Sequence, residues 1–389
     1  MDAALLFTAR SLRLFAYGFV AVVLVLYLSS IGLDDHRIGT LLSLTLAGDV
    51  IVSLFLTTRA DAFGRKRTLI AGALLMLAAG LAFVATRDFT LLVVAATLGV
   101  ISPSGNEVGP FLAIEQVALA QAAEGHDRTA LFAWYNLAGS FATALGSLAG
   151  GWVSAAAGYR APIVGYAMCG LALAAIFAFL SPRVESTARR AEARPTSLSS
   201  RGIVARLSAL FALDSFAGGL VVQSIMAYWF YRRFGLSPAT LGTIFFGANV
   251  FAGISALAAA RIARRFGLLN TMVFTHLPSN VLLILVPFMP NLPLAIAVLL
   301  LRFSISQMDV PTRQAFVIAA VDPAERTAAA GITGVARTTG AALAPVLAMP
   351  LIASLGHSWV PFVAAGALKI VYDLVLLRSC RRIDLSPSS

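Results

Sequence analysis

Charge is what this sequence has least of. Of its 389 residues only 12% are Asp, Glu, Lys or Arg, 59% are hydrophobic, and the mean hydropathy is +0.86. A water-soluble domain carries about a quarter charged residues. So few charges cannot cover a water-facing surface, which excludes an ordinary soluble globule and makes lipid the main solvent. Cysteine is nearly missing: Cys169 and Cys380 lie far apart without ligand spacing, so neither a disulfide framework nor a zinc site is expected. The four histidines, His36, His126, His276 and His357, are scattered and give no metal or haem centre. No Gly-x-x-x-x-Gly-Lys-Ser/Thr segment occurs, so ATP hydrolysis is excluded. The expectation is a protein without cofactor and without enzymatic activity.

What is abundant is apolar sequence in runs of bilayer length, about 20 residues each. Turn to turn, spans are predicted at 12–33, 38–58, 68–86, 90–122, 129–157 and 161–181, then at 207–231, 238–260, 268–286, 293–320, 327–354 and 359–378. The chain thus reads as all-α, with twelve transmembrane helices in two six-helix bundles. Domain limits fall at 1–181 and 207–389, joined by a polar cytoplasmic linker over 182–206. Residues 266–301 contain no Asp, Glu, Lys or Arg and are divided at "PFMPNLP", whose three prolines cannot continue one straight helix. The first run is too long for a cleaved signal core and reads as a retained helix.

The net charge of +11 raises the question of nucleic acid, and the placement of the charges answers it. With both termini in the cytoplasm, 20 Lys and Arg fall on the cytoplasmic side, Arg10 and Arg13 among them, against 5 on the far side. That asymmetry sets the orientation and faces anionic headgroups, with no basic domain apart from the membrane. Arg10, Arg13 and the C-terminal arginines read as headgroup anchors. The Arg-rich, Lys-poor usage points to a GC-rich bacterial source, hence an inner (plasma) membrane, and a monomer is expected.

The two halves carry traces of a repeat. A shift of 198 residues brings Gln116 onto Gln314, Asp127 onto Glu325, and Arg128-Thr129-Ala130 onto Arg326-Thr327-Ala328. It also carries the fourth span onto the tenth and the fifth onto the eleventh, as parallel repeats would.

Ionisable residues inside spans cost about 2.5–3.5 kcal/mol each at mid-membrane, so each needs a reason. Asp49 lies in the second span, Glu107 and Glu115 in the fourth, Asp214 in the seventh, Arg302, Asp309 and Arg313 in the tenth, Arg337 in the eleventh. Asp309 and Arg313 share a helix face at spacing i, i+4, beside Gln314. Placed toward a central aqueous cavity, these groups avoid the full desolvation cost. Asp49, Glu107 or Asp309 would then couple proton movement to solute movement. Arg313 and Arg337 would hold an anionic group or neutralise the acids in one state. Structural roles stand beside these: Asp309 and Arg313 can neutralise each other, Asp49 can bond nearby backbone, and Lys369 and Asp373 can pair. Glu115 and Arg313 fit gate closure better than solute contact, and Trp134, Tyr135 and Trp229 fit packing.

The loop after the second span, "TTRADAFGRKR", resembles the signature of the major facilitator superfamily. Asp61, Gly64, Arg65 and Lys66 match; Thr57 and Ala62 depart from it. With the six-plus-six count the resemblance covers essentially the whole chain. It implies a latch at this loop that closes one state of an alternating-access carrier. "GSLAGG", containing Gly150 and Gly151, resembles a weak form of the family's antiporter motif, though small residues also serve close helix packing. The resemblance is drug/proton-antiporter-like. It implies proton-coupled efflux of a small molecule, with uptake symport or uncoupled facilitation as alternatives, and a receptor as the reading outside transport.

Overall fold

A backbone in hydrocarbon must satisfy its own amides, so an apolar run of this length folds as helix. The computed structural model describes residues 1–122, 128–185, 200–322, 325–354 and 356–381, and no strand occurs among them. The helices of the first half are α1 (Asp2–Ala21), α2 (Leu24–Ser30), α3 (Asp35–Phe63), α4 (Arg65–Ala85), α5 (Phe89–Leu98), α6 (Phe111–Ala122), α7 (Arg128–Ala157) and α8 (Arg160–Ala178). Those of the second half are α9 (Arg201–Gly219), α10 (Gln223–Phe234), α11 (Pro238–Phe266), α12 (Leu268–Leu285), α13 (Leu292–Ser306), α14 (Asp309–Ala319), α15 (Arg326–Ala342), α16 (Pro345–Ala353) and α17 (Val360–Cys380). Ten helices or contiguous helix pairs among the described residues are long and apolar enough to cross a membrane. The split at "PFMPNLP" holds: α12 ends at Leu285 and α13 starts at Leu292, where Asn291 accepts the Leu294 amide at 3.0 Å as an N-cap.

Several spans that read as continuous in sequence are pairs of helices. Residues 99–110 between α5 and α6 are not helical, with Gly105 at φ 73° and Gly109 at φ 82°. Pro103 and Pro110 flank those glycines, and this density of helix breakers unwinds the span. Between α13 and α14 the chain turns at Gln307-Met308, and Pro311 falls in the first turn of α14, where its missing N–H costs no hydrogen bond. Breaks also separate α1 from α2, α9 from α10, and α15 from α16.

The chain forms two compact units: Met1–Arg190 with Val222–Asn249, and Ala191–Val221 with Val250–Ser389. In the first, α1 packs on α7 and α4 on α8; in the second, α9 packs on α15 and α12 on α17. Counted in spans, these are the first with the fifth and the third with the sixth, then the seventh with the eleventh and the ninth with the twelfth. The same packing plan therefore recurs six spans later. Small residues bring the backbones together. A Cβ on Gly146 would fall 2.0 Å from the Phe15 carbonyl oxygen, and one on Gly340 would fall 2.2 Å from that of Ala212.

Candidate functional site

Each unit buries one cluster of charged side chains. In the first, α1 supplies Arg10 and Arg13, the unwound segment supplies Glu107, α6 supplies Glu115, and α7 supplies Tyr135 and Asn136. Arg13 has no exposed side-chain surface. Its Nε donates to Glu107 Oε1 at 2.8 Å, and its Nη1 and Nη2 donate to the two oxygens of Glu115 at 2.6 and 2.7 Å. That is the planar, bidentate pairing for which a guanidinium is suited. Arg10 donates to Glu107 Oε2 at 2.9 Å and to Asn136 Oδ1 at 3.1 Å. Tyr135 donates its hydroxyl to Glu115, and the rings of Tyr135 and Phe111 lie 4.5 Å beneath Arg10 and Arg13. Two cations meet two anions, and every carboxylate oxygen of the cluster is bonded.

This corrects the expectation for Arg10 and Arg13. They are interior partners of acids rather than headgroup anchors, because α1 begins at Asp2, ten residues ahead of the expected span start at 12. The sequence did hold a signal. Two arginines at spacing i, i+3 in an otherwise apolar helix share one face, and the two glutamates of the fourth span lack basic neighbours of their own.

Asp49 on α3 stands apart from that cluster. Its Oδ1 accepts the Gly109 amide at 2.6 Å and the Ser53 hydroxyl at 3.0 Å, and it has no ion pair among the described residues. Gly109 cannot be replaced cheaply, since its φ is positive and a Cβ there would lie 2.4 Å from Val100 Cγ1. Asp49 thus fastens the unwound segment that carries Glu107.

In the second unit Asp214 on α9 is the hub. Its Oδ1 accepts from Lys369 Nζ on α17 at 2.6 Å, and its Oδ2 accepts from Arg313 Nη1 on α14 at 2.9 Å. The same Nη1 lies 3.1 Å from Asp309 Oδ2. Asp373 on α17, one turn beyond Lys369, bonds to other partners: His276 Nδ1 sits 3.0 Å from its Oδ1, and Asn280 Nδ2 donates to its Oδ2 at 2.9 Å. The expected Lys369–Asp373 pair is therefore replaced by two separate pairings. They arise because α17 presents one residue to α9 and the other to α12. Arg337 on α15 lies within electrostatic reach of Arg313, Asp214 and Asp309, yet forms no ion pair among the described residues. Gln314 is exposed and takes no part in this cluster.

The signature loop is placed at the junction of α3 and α4. The Asp61 side chain lies outside the described residues. Gly64 adopts φ 96°, and the Arg65 and Lys66 amides donate to the two oxygens of Glu185 at 2.7 and 3.2 Å. Glu185 thus sits on the positive end of the α4 dipole, a partner that sequence reading missed. Lys66 Nζ also donates to the Leu180 carbonyl at 2.8 Å. In "GSLAGG", Gly150 lies against the Phe19 carbonyl oxygen and Gly151 against that of Pro238, at 2.1 and 2.3 Å from a built Cβ. Tyr135 and Trp229 are buried, whereas Trp134 is exposed. The repeat position Asp127 and the histidine His126 lie outside the described residues, as does most of the 182–206 linker. Among the described residues no group of His, Cys, Asp and Glu is suited to a metal ion.

The profile of the Major Facilitator Superfamily matches residues 6–345. A membrane protein of Saccharomyces cerevisiae described as uncharacterised is 31% identical over 417 residues, covering 96% of this chain and 93% of that protein. Among solved structures, a point variant of the nucleoside transporter NupG superposes with a TM-score of 0.80 at 14% identity, covering 97% of this chain and 99% of that one. The D-xylose-proton symporter superposes with a TM-score of 0.74 at 15% identity, covering 96% of each chain. An all-helical chain with breaks at its charged spans, matched by one profile over most of its length, has one placement: it belongs to the major facilitator superfamily and is a multi-pass membrane transporter, not an enzyme.

Proposed function

We propose that this chain is a proton-coupled secondary carrier that exports a small organic solute by alternating access. Its moving parts are the halves 1–181 and 207–389, joined by 182–206. It works as a monomer in the inner (plasma) membrane with both termini cytoplasmic. Asp49 carries this reading. Glu107, Glu115, Asp214 and Asp309 each face an arginine or lysine, so protonating any of them would take an anion away from a buried cation. Asp49 faces an amide and a hydroxyl, so it can gain or lose a proton without breaking an ion pair. It also holds the unwound segment at Gly109, which gives a proton at Asp49 mechanical purchase on the segment bearing Glu107. Carriers of this kind bind at irregular backbone near the midplane, where freed amides and carbonyls are available.

The test uses purified protein in liposomes. Asp49→Asn is expected to keep solute counterflow and to lose accumulation driven by an imposed pH gradient. Full gradient-driven accumulation by Asp49→Asn removes Asp49 from coupling, and absence of counterflow in the parent protein removes the carrier reading. Export rests on "GSLAGG" alone, and its glycines are also required by packing against α1 and α11. Uptake with the same coupling is therefore the second reading, and reversing the pH gradient separates the two.

A further inference from the structure

The cations and anions inside the spans of the second unit do not balance. Arg302, Arg313, Arg337 and Lys369 stand against Asp214, Asp309 and Asp373. The carboxylates are all engaged: Asp214 by Arg313 and Lys369, Asp309 by Arg313, Asp373 by His276 and Asn280. Two guanidiniums are left without an ion pair among the described residues, and both have a buried Nε bonded to nothing. They differ in access. Arg302 is buried and lies 4.9 Å over the Phe303 ring, which closes one of its faces. Arg337 is half-buried, so part of its surface is left uncovered by the protein.

The space beside Arg337 is open. Gly334 lies three residues earlier on the same face of α15, and a Cβ built there meets nothing within 4 Å. The opening runs over Gly331 and Gly334 and ends before Gly340 on the same helix, which touches the α9 backbone. A cation in such a place is costly unless an anion meets it. A guanidinium presents a planar fork of N–H donors matched to a carboxylate or phosphate.

We propose that Arg337, with the open space over Gly334, is the point at which the transported solute is held, and that the solute is a small organic anion bearing a carboxylate or a phosphate ester. This rests on the carrier reading above. The two sources of negative charge are separated by paired probes: benzoate against benzamide, and ribose 5-phosphate against ribose. Thermal unfolding of the purified full chain is followed with each probe. At least one anion is expected to raise the unfolding midpoint, while its neutral counterpart does not. Arg337→Gln is expected to lose that shift. Its midpoint without probe should equal or exceed that of the parent protein, because no carboxylate loses an ion-pair partner and an unpaired charge is removed. Gly334→Leu, which fills the opening and leaves the charge, is expected to weaken the shift too, and it carries the comparison if Arg337→Gln does not fold. Arg378→Gln, at the exposed end of α17, should respond as the parent does. The proposal is overturned if no anion stabilises the parent, if the neutral counterparts stabilise it equally, or if both site variants keep the full shift. Counterflow of a neutral solute unaffected by Arg337→Gln would remove the anion site and leave the carrier reading standing.

Discussion

A guanidinium with no exposed surface has to find all its stabilisation within the protein. Arg13 does so through its three nitrogens, lending Nε to Glu107 and both terminal nitrogens to Glu115. Neutralising Glu115 leaves the two buried cations Arg10 and Arg13 sharing the single charge of Glu107. Glu115→Gln should therefore destabilise the protein by about 3–5 kcal/mol, read as a lower thermal unfolding midpoint in detergent. Replacing both partners, with Arg13→Met and Glu115→Leu together, should recover most of that loss, because Glu107 keeps Arg10. If the double variant is as unstable as the single, the cluster is held by something other than charge pairing. Asp49 belongs to the opposite case, an acid whose partners are neutral, and its variant is expected to change coupling more than stability.

At the scale of elements, two kinds of glycine do different work. Gly146 on α7 lets the α1 backbone approach so closely that a methyl group would overlap the Phe15 carbonyl. Gly146→Ala should force α1 and α7 apart, lowering the unfolding midpoint and the yield of folded protein. Gly331 on α15 is exposed with nothing near its built Cβ, so Gly331→Ala should be neutral or raise stability by up to about 1 kcal/mol from reduced backbone freedom. Equal effects of the two substitutions would contradict the close contact between α1 and α7. The broken spans follow the same logic. Backbone freed from helical pairing at membrane depth needs other partners, and the Asp49–Gly109 bond and the Tyr17 hydroxyl on the Val108 carbonyl at 3.2 Å supply them.

For the whole molecule, the arginine distribution predicts the orientation. Moving Arg10 and Arg13 to the interior leaves the predicted excess on one side intact, since the basic runs at the start of α4 and at the ends of α11 and α17 remain. In a chain freed of Cys169 and Cys380, a cysteine at Thr86 should react with an impermeant maleimide from outside intact cells. A cysteine at Arg381 should react only in inverted vesicles. The reverse pattern would invert the topology and with it the direction of transport assigned above.

Much of this molecule was settled by composition and pattern. Too few charges for a wet surface, apolar runs of bilayer length and proline-marked turns forced an all-helical membrane protein, and the loop at Gly64-Arg65-Lys66 pointed to its family. The identities of the interior acids were also legible, because a charge inside an apolar run stands out against the cost of burying it. The partners were not legible. Nothing in the order of residues places Arg13 against Glu115, Lys369 against Asp214 instead of Asp373, or Glu185 on the start of α4. Those pairings depend on which helices pack together and on where an unwound segment lets a side chain reach, and such contacts join residues roughly a hundred or more apart in the chain. Periodicity along one helix reports a face, and only packing decides what that face meets.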